Sequence, residues 1–429
     1  MNTIQIIATI IFAIGYLGII FEYKSNLNKS AFAIITGGFL WILLALNTIF
    51  IHEDVSFLSS AIASSAGEIF DLLIFLICAM ALVEILVRYQ FFDLIRGLIY
   101  KLNLSDRKQF FLLIMITFLL SAFVPNLTIT IVMVTIARKF FKGENFLVTV
   151  LAIVLASNAG GIFSPIGDVT NTMLWMAGKY SAEQIISMGF LPALAIVSVS
   201  TFLLSLKLKN DPIEHTNDLV YKLTRTEIIV VVTSIFSFIL TFAMNALNLP
   251  PYLGLLIGLG IVWLEIDLFK QLSKRETHIE ADIKNVFKNT DMASLQFFIG
   301  VLLAVSALEH FGVLQFIANI LYGTDFNNTL RVIGGNVGLG LVSAVFNTIP
   351  LTAIAIKTLQ ATDPSLWVLL EITICSGGSL LVIGSSAGVI AMGLVKELTF
   401  DKYIKYAFVP AFVAFIAGII VWYLESLIF

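Results

Sequence analysis

Long, unbroken apolar runs limit what this chain can fold into more than any motif does. Ten are bracketed by charged flanks, near residues 3–21, 31–51, 68–88, 146–178, 187–206, 227–247, 252–265, 292–308, 366–395 and 406–428. A helix needs about 20 apolar residues to cross a bilayer core of about 30 Å. Because the runs are continuous and not alternating, they exclude a transmembrane β-barrel. Only 12% of the 429 residues are charged, half the roughly 25% of a soluble domain. That excludes a soluble globular enzyme and a disordered chain. The expected class is an all-α polytopic protein of the cell inner (plasma) membrane, in contact with lipid, with no enzymatic activity and no cofactor.

A net charge of −3 gives no reason to expect a nucleic-acid partner. Cys78 and Cys375 both fall in apolar helices, so neither a disulfide framework nor a cysteine metal site is expected. His52, His215, His278 and His310 are scattered in loops or at span ends, without zinc spacing, and read as solvated. The first run has no basic residue before it and no small-residue cleavage site after it, so it reads as a spanning helix. Residues 91–103 read as an amphipathic interfacial segment.

Two further apolar stretches, 109–137 and 332–356, behave differently. If the N-terminus faces outside and both stretches enter and return, all Lys and Arg residues except Lys179, Arg331 and Lys357 are cytoplasmic, as the positive-inside rule prefers. Re-entrant tips need a polar surrounding, because backbone groups are exposed at membrane depth. Both tips are polar and carry proline: SAFVPNLTIT with Pro125, Asn126, Thr128 and Thr130, and SAVFNTIPLTA with Asn347, Thr348, Pro350 and Thr352. They start at Ser121-Ala122 and Ser343-Ala344, 222 residues apart.

Each tip is followed by an interrupted span. NAGGIFSPIGD (158–168) and GGSLLVIGSSAG (377–388) align with an offset of 217, Gly160-Gly161 on Gly377-Gly378 and Gly167 on Gly384. Hairpin plus broken helix thus occurs twice in the same order, and the crossings between them invert the second copy. This is an inverted repeat of the kind secondary transporters use. The expected layout is a first membrane half (1–206) with a hairpin entering from the cytoplasm (109–137) and a broken helix (146–178). A linker (207–226) follows, then a second half (227–429) with a hairpin entering from outside (332–356) and a broken helix (366–395).

Broken helices leave carbonyl and N–H groups unsatisfied at mid-membrane, where they bind ions. Gly160, Gly161, Pro165, Gly167, Gly377, Gly378 and Gly384 are expected to make the breaks by leaving helical geometry. Asp168 is the most informative residue. An ionisable group inside an apolar span is expensive and marks function by default, although it also reads as an N-cap for a half-helix starting at Val169. Oxygens suited to a hard monovalent cation surround it in sequence: Asn126, Thr128, Asn158, Ser164, Thr170, Asn171 and Thr172. The second half offers Asn347, Thr348, Ser376, Ser379, Ser385 and Ser386, with Ser385 in the place of Asp168. Glu68 reads as interfacial, Asp71 and Glu84 read equally as interfacial or functional, and Glu84 has the i,i+4 spacing for an ion pair with Arg88.

SNAGGIFSPIGDVTNTMLW (157–175), NLTITIVM (126–133) and GGSLLVIGSSAGVIAMG (377–393) resemble the NhaD-type sodium/proton antiporters. These belong to an ion-transporter superfamily that includes divalent anion/sodium symporters and citrate or arsenite carriers. The likeness begins at GYLGIIFEYKSNLNKSA (15–31) and continues through ICAMALVEI (77–85). It implies a dimeric, elevator-like carrier with Asn126, Asn158, Asp168, Thr170 and Ser385 at positions tied to cation binding or transport. The family's Asp-Asn pair in each hairpin tip is replaced here by Pro125-Asn126 and Asn347-Thr348. Its His-x-Gly-Glu before the third span reads Ser65-Ala66-Gly67-Glu68. The expected function is therefore sodium (or lithium)/proton antiport by competition at the single carboxylate Asp168. Sodium-coupled anion or carboxylate symport is one alternative, and a non-transporting membrane receptor or assembly protein is another.

Overall fold

In hydrocarbon a chain has to satisfy its own backbone polar groups. Every regular element of this protein is accordingly helical, with no strand among the described residues. The structure, a computed structural model, describes residues 2–428 apart from 21, 23–26, 51–55, 103, 210–222, 273–274, 289 and 324–327. His52, His215 and most of the expected linker lie outside the described residues. Nine helices among the described residues are long and apolar enough to cross a membrane, and the chain is a multi-pass membrane protein.

The chain starts with α1 (Thr3–Ile20), α2 (Lys29–Phe50) and the long α3 (Ser56–Arg88). The short α4 (Phe91–Lys101) lies in the amphipathic segment. A first hairpin has arms α5 (Asp106–Leu120) and α6 (Asn126–Phe140). A first broken helix follows as α7 (Gly143–Ile162) and α8 (Val169–Met176), and then α9 (Ala182–Ser205). Next come α10 (Arg225–Ala246), α11 (Tyr252–Leu272), two short helices α12 (Glu276–Glu280) and α13 (Ile283–Lys288), then α14 (Met292–His310) and α15 (Val313–Leu321). The second hairpin is α16 (Thr329–Ser343) with α17 (Thr348–Thr358), and the second broken helix is α18 (Pro364–Gly377) with α19 (Ser386–Leu394). A last helix runs through α20 (Phe400–Tyr403), a π-helical turn (Ile404–Phe408) and α21 (Val409–Ser426).

Length separates hairpins from spans. A 15-residue arm such as α5, α6 or α16 is about 22 Å long, short of the roughly 30 Å core. The first segments of the broken helices are apolar over most of their surface, and packing explains it: 147–162 in α7 and 366–377 in α18 are buried without interruption. A helix hydrophobic all round belongs inside a bundle. Each hairpin leans on its own broken helix and reaches across to the other one, α6 packing on α19 and α17 on α8. Around this centre, α14 packs on α2 and α10 on α11. Gly37 and Gly300 let the α2 and α14 backbones approach closely, as small residues do between membrane helices. The Trp41 indole donates to the Leu303 carbonyl at 3.1 Å.

The repeat recurs in contacts as well as in sequence. Ser121 Oγ donates to the Ser157 carbonyl at 2.5 Å, and Ser343 Oγ donates to the Ile374 carbonyl at 2.8 Å. A methyl group at Gly160 would overlap the Phe118 carbonyl, and one at Gly377 would overlap the Gly340 carbonyl. Gly160, Gly161 and Gly377 lie inside α7 and α18 and not in the breaks expected of them, whereas Gly167, Gly378 and Gly384 do lie in the breaks. None of Gly160, Gly161, Gly167, Gly377, Gly378 or Gly384 has a positive φ. Gly160, Gly167, Gly377 and Gly384 are small so that hairpin and broken helix can touch backbone to backbone, whereas Gly161 packs on Asp168 and Gly167 of its own break. Pro165 does sit in the break between α7 and α8, where no amide hydrogen is available to continue the helix.

Two other expectations change. The third span begins at Ser56, twelve residues before the expected start, because its first turns are Ser- and Ala-rich and only moderately apolar. His278 is not solvated. It is fully buried, with Nδ1 2.8 Å from the Tyr89 hydroxyl and Nε2 3.2 Å from the Thr226 hydroxyl. The charged residues around it in sequence hid this pocket. The Glu84–Arg88 pair is present at 3.0 Å, and Glu68 pairs with Lys357 at 3.1 Å.

Candidate cation-binding site

Four helix N-termini converge on one cavity of about 90 Å³. They belong to the second arms of the hairpins, α6 and α17, and to the second segments of the broken helices, α8 and α19. Of the residues singled out in the sequence, Asn126, Thr128, Asn158, Asp168, Thr172, Asn347, Thr348, Ser385 and Ser386 line this cavity, joined by Cys375. The two hairpin tips and the two breaks, hundreds of residues apart in sequence, thus meet at one place.

Asp168 caps α8, and its Oδ1 accepts the Val169 amide hydrogen at 2.7 Å. The residue is half-buried, and its open side faces the cavity. Its other oxygen receives the Cys375 thiol at 3.2 Å and lies 3.4 Å from the Thr170 hydroxyl. Ser385 holds the matching position on α19. It has nearly the same extended backbone (φ −126°, against −133° at Asp168), and its hydroxyl accepts from the Gly388 amide at 3.1 Å. Asn126 and Asn158 are joined at 3.2 Å, and Asn158 continues to the Ser379 hydroxyl at 2.7 Å. Asn347 caps α17 through the Ile349 amide at 3.1 Å.

The structure does not bring every singled-out residue to the cavity. Asn171 is fully buried and spends its amide on the end of α7, donating to the Gly161 and Ile162 carbonyls at 2.8 and 2.6 Å. Its own oxygen accepts a short bond from the Tyr180 hydroxyl. It satisfies carbonyls that the broken helix leaves open and does not line the cavity. Thr170 points away from the cavity, behind Asp168, and donates to Glu371 Oε1 at 2.8 Å.

Glu371 and Cys375 were missed in the sequence. Both lie on α18 and are almost completely buried, at 0% and 2% exposure. The offset of 217 pairs Cys375 with Asn158, which explains its place on the cavity wall. Ligand atoms of Asp168, Glu371 and Cys375 lie within 4.8 Å of one another. The signal for Glu371 was available: it is an acid within an apolar run, six residues before Gly377-Gly378, and meets the same criterion that selected Asp168.

Two larger vestibules flank the site. One of about 620 Å³ shares Lys29, Asp291, Asn347, Ser385 and Ser386 with the central cavity. The other, of about 480 Å³, is lined by Glu68, Asp71, Met173, Met176, Lys179 and Lys357. Lys357 there bridges Glu68 and Glu309 at 3.1 and 3.2 Å. The short α8 lies between the two, with Asp168 towards the first vestibule and Met176 towards the second.

A multi-pass helical protein in which paired hairpins and paired broken helices enclose a polar cavity and a carboxylate is built as a secondary transporter. Comparison with known proteins agrees. The family described as CitMHS, citrate transporter, matches residues 16–372, and the chain belongs to this family. It is also similar to sodium/proton antiporter 1 of Arabidopsis thaliana, 33% identical over 422 residues, 96% of this chain and 70% of that protein. Sodium/proton antiporter 2 of the same plant is 31% identical over 430 residues, 96% of this chain and 98% of that protein. The Na(+)/H(+) antiporter NhaD of Vibrio cholerae is 30% identical over 436 residues, 94% of this chain and 88% of that protein.

Proposed function

We propose that this protein is a secondary sodium (or lithium)/proton antiporter in which the cation and the proton compete for Asp168. The observation that carries this reading is the position of that carboxylate. It lines the cavity where both hairpin tips and both breaks meet and sits in a break itself, whereas the other acid on that wall, Asp291, is engaged by Ser294 at the start of α14, and no ion pair involving Asp168 occurs among the described residues. A carboxylate without a fixed basic partner is free to exchange a proton for a cation, and the neighbouring Asn and Thr oxygens suit a hard alkali ion. The names of the relatives support the same exchange. From the family resemblance we infer that the working unit is a homodimer in the membrane.

One observation favours a second reading, sodium-coupled carboxylate symport. Four helix N-termini face the cavity, and N-termini attract anions. Proteoliposomes with an acidic lumen and an internal pH dye separate the two. Under antiport, sodium or lithium alone drives proton efflux, and labelled citrate does not accumulate. Sodium-driven citrate uptake, with no proton movement on adding cation alone, assigns the protein to symport instead.

A further inference from the structure

We propose that Glu371 is a second carboxylate ligand for the exchanged cation, so that the site opposes two acidic side chains across the Thr170 hydroxyl. The inference rests on the antiport reading and extends it to a residue behind the cavity wall.

Thr170 Oγ1 lies 2.8 Å from Glu371 Oε1 and 3.4 Å from Asp168 Oδ2, so one hydroxyl stands between the two carboxylates. Glu371 Oε2 is buried and has no hydrogen-bond partner among the described residues. Neither carboxylate is in an ion pair with a lysine, arginine or histidine among those residues. The other titratable groups facing the pair are the Cys375 thiol on α18 and the Tyr180 hydroxyl after α8, and neither supplies positive charge. Two oxygens bound to one cation at roughly 2.4 Å stand at most about 4.8 Å apart. The ligand atoms of Asp168 and Glu371 fall within that span.

Packing alone gives no reason for an acid at this position. α18 is buried on every side from residue 366 to 377, and an unpaired polar group there costs stability that an apolar side chain of similar volume would not. The hairpin tips, Pro125-Asn126 and Asn347-Thr348, contribute no carboxylate to the cavity. Glu371 supplies from α18 the second negative charge that the tips lack. Cys375, whose sulfur is a poor ligand for an alkali ion, serves as a hydrogen-bond donor that orients Asp168.

The test is the sodium dependence of thermal unfolding of the purified full chain in detergent, since an ion that binds the folded state stabilises it by RT ln(1 + c/Kd), where c is the sodium concentration, and the midpoint compared between variants is the Kd fitted to that rise. For the wild type the melting temperature rises with sodium, and Asp168→Asn removes the rise. For Glu371→Gln that midpoint increases tenfold or more, while the sodium-free melting temperature stays level or rises because a buried acid with an unpartnered oxygen is gone. Glu371→Asp keeps the charge one methylene shorter and gives an intermediate midpoint. A Glu371→Gln midpoint within twofold of wild type overturns the inference and leaves the antiport reading intact. So does a lower sodium-free melting temperature with an unchanged midpoint, the signature of a structural role. A wild type that does not respond to sodium or lithium overturns the antiport reading itself, and this inference with it. If Glu371→Gln cannot be purified, Glu371→Asp decides: a wild-type midpoint overturns the proposal, and a raised midpoint supports it.

Discussion

Asp168 and Ser385 stand at equivalent turns of the two broken helices, and both cap the helix that follows. The cap needs only an oxygen acceptor, and serine serves as well as aspartate. The cation needs the charge. Asp168→Ser separates the two roles by making the first break resemble the second. Its melting temperature without sodium is expected to stay within a few degrees of wild type, a change of about 1 kcal/mol or less, and its sodium-dependent stabilisation is expected to vanish. A cap-only role predicts that the sodium response survives. Asp168 was legible in the sequence because a lone acid stands out between Pro165-Ile166-Gly167 and a new apolar run. Glu371 carries the same signal, an acid in an apolar run, but without a proline or glycine beside it to mark a break. The place of Asn171 away from the cavity was not legible either. Its amide caps carbonyls at the end of α7, a need that becomes visible only when the break is seen in three dimensions.

At the scale of elements, hairpins and breaks were legible for a physical reason. Proline, glycine and asparagine inside apolar runs mark places where backbone groups are exposed, and such places survive in a membrane only around a cavity. What sequence did not convey was why the glycines are there. Gly160 and Gly377 are contact points between hairpin and broken helix, and neither has room for a methyl group. Gly160→Ala is expected to push α5 away from α7, lowering stability by roughly 1–3 kcal/mol as overpacking does. Cation-driven proton flux should fall along with the melting temperature. The same substitution at Gly260, where added volume meets open space, is the control and leaves both unchanged. Equal behaviour of the two variants would contradict the contact role.

At the scale of the whole molecule, a buried junction outside the spans ties α12 to the ends of α3 and α10. His278 lies there between Tyr89 and Thr226. Burial holds its imidazole below the usual histidine value, aided by the Arg275 charge and opposed by Glu227. The folded protein therefore favours neutral His278. As pH falls below about 6.5, the unfolded chain takes up a proton that the folded chain resists, so stability declines until the folded value is passed and then levels off. Above about 6.5 this residue adds no pH dependence. Melting temperatures measured between pH 5 and 7.5 should fall towards the acid end for wild type and flatten for His278→Gln. An unchanged slope in the variant would place the acid sensitivity elsewhere. The junction could not be read from sequence, because its partners come from three separate stretches of chain.

The exchange at Asp168 is tested most directly by proton movement in sealed proteoliposomes with an acidic lumen. Wild-type protein is expected to release protons on addition of sodium, and Asp168→Ser protein, reconstituted at equal density, is expected to release none. Equal proton release from both would contradict competition at that carboxylate.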